Sequence, residues 1–365
     1  VAGAVARGVG RRASGAALAL AGAAVRACGR FVGAMCGGRP ALLDSPLLAP
    51  VSEYLVGPDS TSLPMASVIV PAKASHTSLL LTLHALERQE MDEPYEVLAG
   101  TEEGCPLAAD IRRLFPQVRF CPIPPRAGPG GARNALIPFA RGQVVAFTDA
   151  DDLPERTWLR QMTALVAGHG GRPVRGWVAI HQQMSAVDRA CRYAEEGIAR
   201  PRRPLVVAGL SGANMALGGR YFADQACRFT AGLYGAEEVG LLEMLPEPDR
   251  VVLLSPNPEV HEMRCDRWGQ SLRRMRALGY GSGHLRRRKK IRGSLAARWL
   301  VLAPLLILAR YLLTARRIIH CGGLAAALDF LRLTPITLCM LMYYVAGFVA
   351  GARQARRDAR ARELS

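Results

Sequence analysis

The sequence predicts an α/β fold built on a mostly parallel sheet flanked by helices, and three observations predict it. From Met65 onward, short apolar runs of strand type alternate with segments of helical period at intervals of roughly twenty to thirty residues, the pattern of parallel strands joined by crossover helices. Acidic residues collect behind one of those strands, where VVAFT runs into Asp149, Asp151 and Asp152. Ligands of such sheets gather at the carboxyl ends of strands. The chain of 365 residues is also long enough to bury a sizeable core without disulfides or structural metals.

The elements follow in order. Residues 1–64 are rich in Ala, Gly and Arg, lack Lys and show no clear period. Arg11-Arg12 before an Ala-rich stretch mimics a signal peptide, but glycine interrupts the apolar run. The expectation is a low-complexity, poorly ordered and dispensable extension, with Met65 as an alternative start. The run SVIV at 67–70 reads as a buried strand halted by Pro71, and 78–89 carries leucines at helical spacing. Strands are expected at 95–99, 118–123 and 143–148, and helices at 107–115 and 131–141. The second half is more mixed, with strands at 177–181, 205–208 and 214–217 and helices at 235–245 and 269–278.

Residues 286–365 change texture again. Residues 299–309 are apolar until Arg310 interrupts, and 335–352 is an uncharged stretch of 18 residues, a membrane-span candidate. RRRKKIR at 286–292 and RQARRDARAR at 353–362 carry six and five basic residues. They form much of a formal charge of +17, which points to nucleic acid, anionic membrane or phosphorylated substrate. The basic runs flank apolar helices instead of interleaving with aromatics, which argues against nucleic acid and for a membrane-associated helical region. Nine scattered cysteines form no C-x-x-C pair, as expected of free thiols in a reducing cytoplasm.

The chemistry begins at Asp149-Ala150-Asp151. Two carboxylates two residues apart behind a strand can hold a hard divalent cation, Mg²⁺ or Mn²⁺, against a diphosphate. Around this pair lie SVIVPA at 67–72, GGARN at 130–134, FTDADD at 147–152, GANM at 212–215, GAEEV at 235–239 and His261 in PEVHEMR. Taken in that order, these pieces resemble the family-2 glycosyltransferases over residues 65–285, which have the GT-A fold.

The resemblance implies a nucleotide-diphosphate sugar donor contacted by Pro71, Ala72, Glu102, Arg133, Asn134, Asp149, Ala150, Gly212 and Asn214. It implies a metal held by Asp149, Asp151 and His261, and a base at Glu238 with Glu237 beside it. On their residues alone, Arg133 and Asn134 also fit a surface helix start, and Glu237 and Glu238 a solvated first turn. His261 equally fits a hydrogen-bonded surface histidine, and Asp152 an N-cap for the helix after Pro154. The chain departs from the family pattern in having Glu238 where Asp is expected, AGTEEG where an acidic pair ends the second strand, and Lys73-Ala74 in the opening turn.

The implied reaction is inverting sugar transfer to a glycan or lipid-linked acceptor at the cytoplasmic face of a bacterial inner membrane, with C-terminal helices as anchor. A processive polysaccharide synthase is the near alternative, although Arg274 follows Gln270 to Arg273 where that type carries Trp. An inactive membrane-surface scaffold is the alternative of another class.

Overall fold

Unbroken apolar runs make the centre of the sheet. Ala66–Val70 (β1) and Val144–Thr148 (β4) are buried along their whole length, as strands covered on both faces must be. They lie side by side and parallel, with Ala66 opposite Val144. Tyr95–Glu102 (β2) pairs with the other side of β1, and Arg119–Ile123 (β3) with β2, both parallel. Thr77–Leu86 (α1), Ala108–Leu114 (α2) and Gly128–Leu136 (α3) are the crossover helices that parallel pairing demands. α3 begins earlier than the expected residue 131 because Pro129 sits in its first turn, where a missing N–H is harmless. The computed structural model describes residues 50–72, 77–102, 108–179, 185–197, 199–263, 268–289, 291 and 293–363.

Beyond β4 the sheet becomes mixed. Asp152–Pro154 (β5), Trp158–Gly168 (α4), Val174–Ala179 (β6), Ala186–Glu196 (α5), Leu205–Val207 (β7), Asn214–Gly218 (β8), Glu237–Met244 (α6) and Val252–Glu262 (β9) follow in the chain. The strand order is β3-β2-β1-β4-β8-β6-β9-β5, with β7 also on β9. β8 runs antiparallel to both its neighbours. β6 and β9 are parallel, but their register jumps: Arg175 faces Leu254 and Trp177 faces Glu259. Residues 255–258 therefore bulge out opposite Gly176, where a Cβ would overlap the Pro258 carbonyl and the Asn214 amide. Asn214 fills the gap in the ladder. Its Nδ2 donates to the carbonyls of Trp177 and Pro258 at 2.8 and 2.9 Å, and its Oδ1 accepts from the Trp158 indole at 2.9 Å.

The folded body also starts before Met65. Leu55 is buried and bridges to Tyr95. The Val56 N–H donates to the Tyr95 carbonyl, and the Tyr95 N–H to the Tyr54 carbonyl, each at 2.9 Å. Arg119 and Arg141 then clasp the carbonyls of Pro58 and Ser60 at 2.7 Å each. Residues 52–60 are thus woven into the sheet edge, whereas a dispensable segment running to residue 64 was expected. Residues 1–49 lie outside the described residues.

Four helices close the chain: Trp268–Arg288 (α7), Ser294–Arg298 (α8), Leu305–Arg332 (α9) and Thr334–Glu363 (α10). α7 and α10 lie in backbone contact. A Cβ on Gly279 or Gly283 of α7 would overlap the carbonyl oxygens of Tyr344 and Phe348. A Cβ on Gly347 or Gly351 of α10 would overlap those of Arg276 and Tyr280. Small residues four apart on each helix permit this approach. Among the described residues one helix, Thr334–Ala361, is long and apolar enough to cross a membrane, and half of its apolar window is buried against protein. The expected span candidate is therefore also the seat of α7. Besides Met342 and Tyr343 on α10, exposed apolar side chains run along the turn before α9 and α9 itself, which carry Trp299, Val301, Leu305, Leu308 and Leu312.

Candidate active site

The turn after β4 carries Asp149-Ala150-Asp151, and neighbouring groups hold it rigidly. The Thr82 hydroxyl lies 2.7 Å from the Asp152 carbonyl and 3.0 Å from that of Ala150. The Asp152 carboxyl accepts the Asp149 N–H at 3.2 Å. It is fully buried, and burial, then the charges of Asp149 and Asp151, hold it well above the usual carboxylate range. Asp152 braces the turn and does not cap the next helix, whose N-cap residue is Thr157. Asp149 and Asp151 line a cleft of about 1360 Å³.

Arg133 on α3 reaches the same cleft. Its guanidinium is buried, donates to Asp149 Oδ1 at 2.7 Å and to Glu237 Oε1 at 3.3 Å, and lies over the Phe229 ring at 5.4 Å. Two glycines make room for it. At Gly130 a Cβ would come within 2.7 Å of the Thr230 carbonyl and 2.9 Å of the Glu237 Cβ, so glycine lets α3 approach α6. At Gly212 a Cβ would overlap the Arg133 guanidinium itself. Asn134 does not line the cleft. It clasps the Phe229 backbone with two hydrogen bonds of 2.9 Å and so fixes the loop behind Arg133.

Gly235 and Ala236 both take left-handed φ values, 72° and 79°, and their sharp turn aims the first residues of α6 into the cleft. Glu238 is half-buried there, and its Oε1 accepts the Gly212 N–H at 2.9 Å. Glu237 is buried beside it. Burial, reinforced by Glu238, outweighs the attraction of Arg133 and pushes the Glu237 carboxyl up to about 8. Two adjacent acids thus differ in environment, one buried and held above the usual carboxylate range and one facing the cleft.

Most of the residues implied by the sequence meet here: Pro71, Arg133, Asp149, Ala150, Asp151, Gly212, Glu237 and Glu238 all line the cleft. Ala72 is buried behind Pro71. Asn214 is spent on the sheet, as described above. His261 lies elsewhere: its Nε2 is 3.6 Å from Glu155, in a group with Glu259 whose ligand atoms lie within 4.8 Å of one another. There Arg200 already pairs with Glu259. The Glu102 side chain, Lys73 and Ala74 lie outside the described residues.

Sequence reasoning missed one wall of the cleft. Arg175, Arg192 and Arg274 interlock with Glu195, Glu196 and Glu262, joining β6, α5, β9 and α7. Arg192 and Glu196 stand four apart on α5, but the other partners are up to 79 residues apart, so no local signal marks the wall as a whole.

A divalent cation fits the Asp149–Asp151 pair on donor chemistry, since both offer hard carboxylate oxygens to one cleft. Arg133 takes Oδ1 of Asp149, and Asp152 is withdrawn by burial.

Residues 67–190 match the family model described as "Glycosyl transferase family 2". Over 92 residues the chain is 36% identical to the uncharacterized glycosyltransferase YfnE of Bacillus subtilis, covering 24% of this chain and 23% of that protein. Over 116 residues it is 27% identical to glycosyltransferase AglE of Haloferax volcanii, covering 30% and 38%. The chain thus matches well under half the length of these relatives. Its backbone is similar to the mannosyltransferase PcManGT of Pyrobaculum calidifontis, solved with GDP-Man and Mn²⁺, at a TM-score of 0.53 and 19% identity over 89% of this chain and 98% of that one. That likeness establishes the GT-A fold.

Proposed function

We propose that the chain, whose residues 67–190 match the model of glycosyl transferase family 2, transfers a sugar from a nucleotide-diphosphate sugar to an acceptor hydroxyl in a single inverting displacement. The observation that carries this reading is the convergence of Asp149, Asp151, Arg133 and Glu238 on one cleft at the carboxyl end of β4. PcManGT, which shares the fold, was solved with GDP-Man and Mn²⁺.

Asp149 and Asp151 would hold a divalent cation, Mg²⁺ or Mn²⁺, which supplies charge neutralisation to the diphosphate leaving group. Arg133 sets the rotamer of Asp149 and adds a buried positive charge beside the diphosphate. Pro71 and Ala150 shape the donor side of the cleft. Glu238, its Oε1 oriented by the Gly212 N–H, takes the proton of the acceptor hydroxyl as that oxygen attacks the anomeric carbon. Glu237, raised by burial and paired with Arg133, adds little negative charge beside the base. Glu238 does this work with one methylene more than Asp would have, and the hydrogen bond from Gly212 is what fixes its reach.

The acceptor side of the cleft includes Arg286, Arg310 and Tyr344 from the C-terminal helices. A lipid-linked or surface-glycan acceptor suits walls built from those helices, and we place the enzyme at the cytoplasmic face of a bacterial inner membrane. Single transfer is favoured over polymer synthesis because Arg274 donates to the Tyr234 hydroxyl at 3.0 Å and pairs with Glu195, a wall-building role.

The test is metal-dependent nucleotide release across a panel of nucleotide sugars. D151N should lower release by at least about 100-fold, as loss of electrostatic stabilisation does, with an unchanged melting temperature. E238Q should keep donor binding and lose transfer. Wild-type turnover in D151N, or turnover without any divalent metal, would overturn the scheme.

A further inference from the structure

One face of the C-terminal helices carries charge that the transfer chemistry does not use. Arg287 of α7, Arg298 of α8 and Arg353, Arg356, Arg357 and Arg360 of α10 line a cavity of about 570 Å³. No acid lines it, and none of the six arginines pairs with a carboxylate among the described residues. The Arg287 guanidinium instead donates to the Arg298 carbonyl at 3.3 Å. Six like charges in one concavity repel one another unless an anion enters.

A second, independent observation says what kind of anion. The same cavity is lined by Trp299 and Val301, whose side chains are 64% and 81% exposed. The apolar ridge runs on along α9 through Leu305, Leu308, Leu312 and Ile319, all exposed and spaced to fall on one face. Soluble surfaces rarely leave so long an apolar ridge uncovered. A single-stranded nucleic acid would call for several stacking aromatics, and Trp299 is the one aromatic among the residues that line the cavity. An apolar ridge beside an arginine-lined cavity matches the boundary of an anionic bilayer, with phosphates at one depth and acyl chains just below.

We propose that the six-arginine cavity seats the phosphate headgroups of anionic membrane lipids while Trp299, Val301 and the α9 ridge enter the acyl boundary. The enzyme then lies on the membrane through this face, and α10 keeps its place against α7 instead of crossing the bilayer. The proposal deepens the membrane placement given above and does not depend on the transfer chemistry. It also explains the position of the cleft. Arg310 and Arg317 on α9 line the catalytic cleft, so immersing the ridge of α9 brings the cleft to headgroup level, where a lipid-linked acceptor would present its sugar.

The experiment is co-sedimentation of the full chain with phosphatidylcholine vesicles, with or without phosphatidylglycerol. The wild-type chain should pellet with the anionic vesicles only, and added salt should release it. The quadruple variant R353Q/R356Q/R357Q/R360Q should partition roughly a thousandfold more weakly, from about 1 kcal/mol per basic residue near an anionic surface over four residues. These four side chains are exposed, and an unchanged melting temperature would show the fold intact. W299A/V301S should weaken partitioning without altering its salt dependence. Equal partitioning of wild type and quadruple variant would overturn the proposal. So would equal binding to both vesicles, retention of the chain in membranes through alkaline extraction, or arginine-dependent binding to an oligonucleotide with none to vesicles. Nucleotide release is scored separately in detergent, so a failure of transfer is not mistaken for a failure of docking.

Discussion

A methyl group at residue 212 would collide with the guanidinium of Arg133. Gly212 also gives its N–H to Glu238, so this one position touches both the residue that steers Asp149 and the proposed base. G212A should therefore lower kcat/KM by about 100-fold, the usual result of displacing a catalytic group by about 1 Å, while the melting temperature stays within a few degrees of wild type. Wild-type kinetics in G212A would show that the contact is not needed. Far from the cleft, Glu87 carries a different signal. Burial raises its carboxyl from 4.5 to about 7, against the opposing charge of Arg88. A carboxyl raised in the folded state binds its proton more tightly there than when unfolded. Its contribution to stability is full below about pH 4.5 and is lost as the pH climbs through about 7. The melting temperature should fall between those values, and E87Q should flatten the fall because a glutamine has no charge to desolvate. An unaltered slope in E87Q would assign the pH dependence to other groups.

At the scale of elements, the entry to α6 holds the clearest strain. Ala236 sits at φ 79°, a left-handed conformation that L-residues other than Asn and Asp adopt rarely. A236G should leave activity intact and gain about 0.5–1 kcal/mol, whereas A236V should lose about 1–3 kcal/mol and misaim Glu237 and Glu238. Thermal melts of the two variants in parallel check the sign. The sequence marked this turn only as Gly235 before two acids. β1 and β4 were legible because SVIV and VVAFT are unbroken apolar runs, and with β4 came the position of Asp149 and Asp151. β9 was not legible: Pro256 and Pro258 read as loop, and only the register jump against β6 reveals that both prolines sit in a bulge. That bulge also explains Asn214, whose place in GANM implied a donor contact and whose amide instead completes the broken ladder. α5 did carry a signal that went unread. Ser185 and Asp188 form a capping box, and Gly197 closes the helix in the left-handed region. Of the ion network of α5 only the Arg192–Glu196 pair, four residues apart on the helix, has a local signature; the pairs with Arg175, Glu262 and Arg274 join elements that only the tertiary fold brings together.

At the scale of the whole molecule, α7 connects the two ends of the protein. Gly279 and Gly283 press on α10, while a Cβ on Gly281 would overlap the carbonyls of Tyr234 and Gly235 in the loop that aims α6. Arg274 on the same helix pairs with Glu195 and lies within 4.0 Å of Glu262 in the cleft wall. The C-terminal helices are therefore bound to the loop that aims α6 through one helix, and pushing α10 away should be felt at Glu238. G347L tests this, since a Cβ at that position already overlaps the Arg276 carbonyl. Overpacking of this kind costs about 1–3 kcal/mol or more, which lowers the melting temperature by roughly 1–2 °C per kcal/mol in a chain of 365 residues. Transfer should fall as well, and in kcat more than in KM, because the α6 entry shifts with α7. G168A is the matched control: open space surrounds a Cβ there, so the same assays should return wild-type values. If G347L melts and turns over like G168A, the two helices are not in backbone contact and the route from the C-terminal helices to Glu238 does not run through α7.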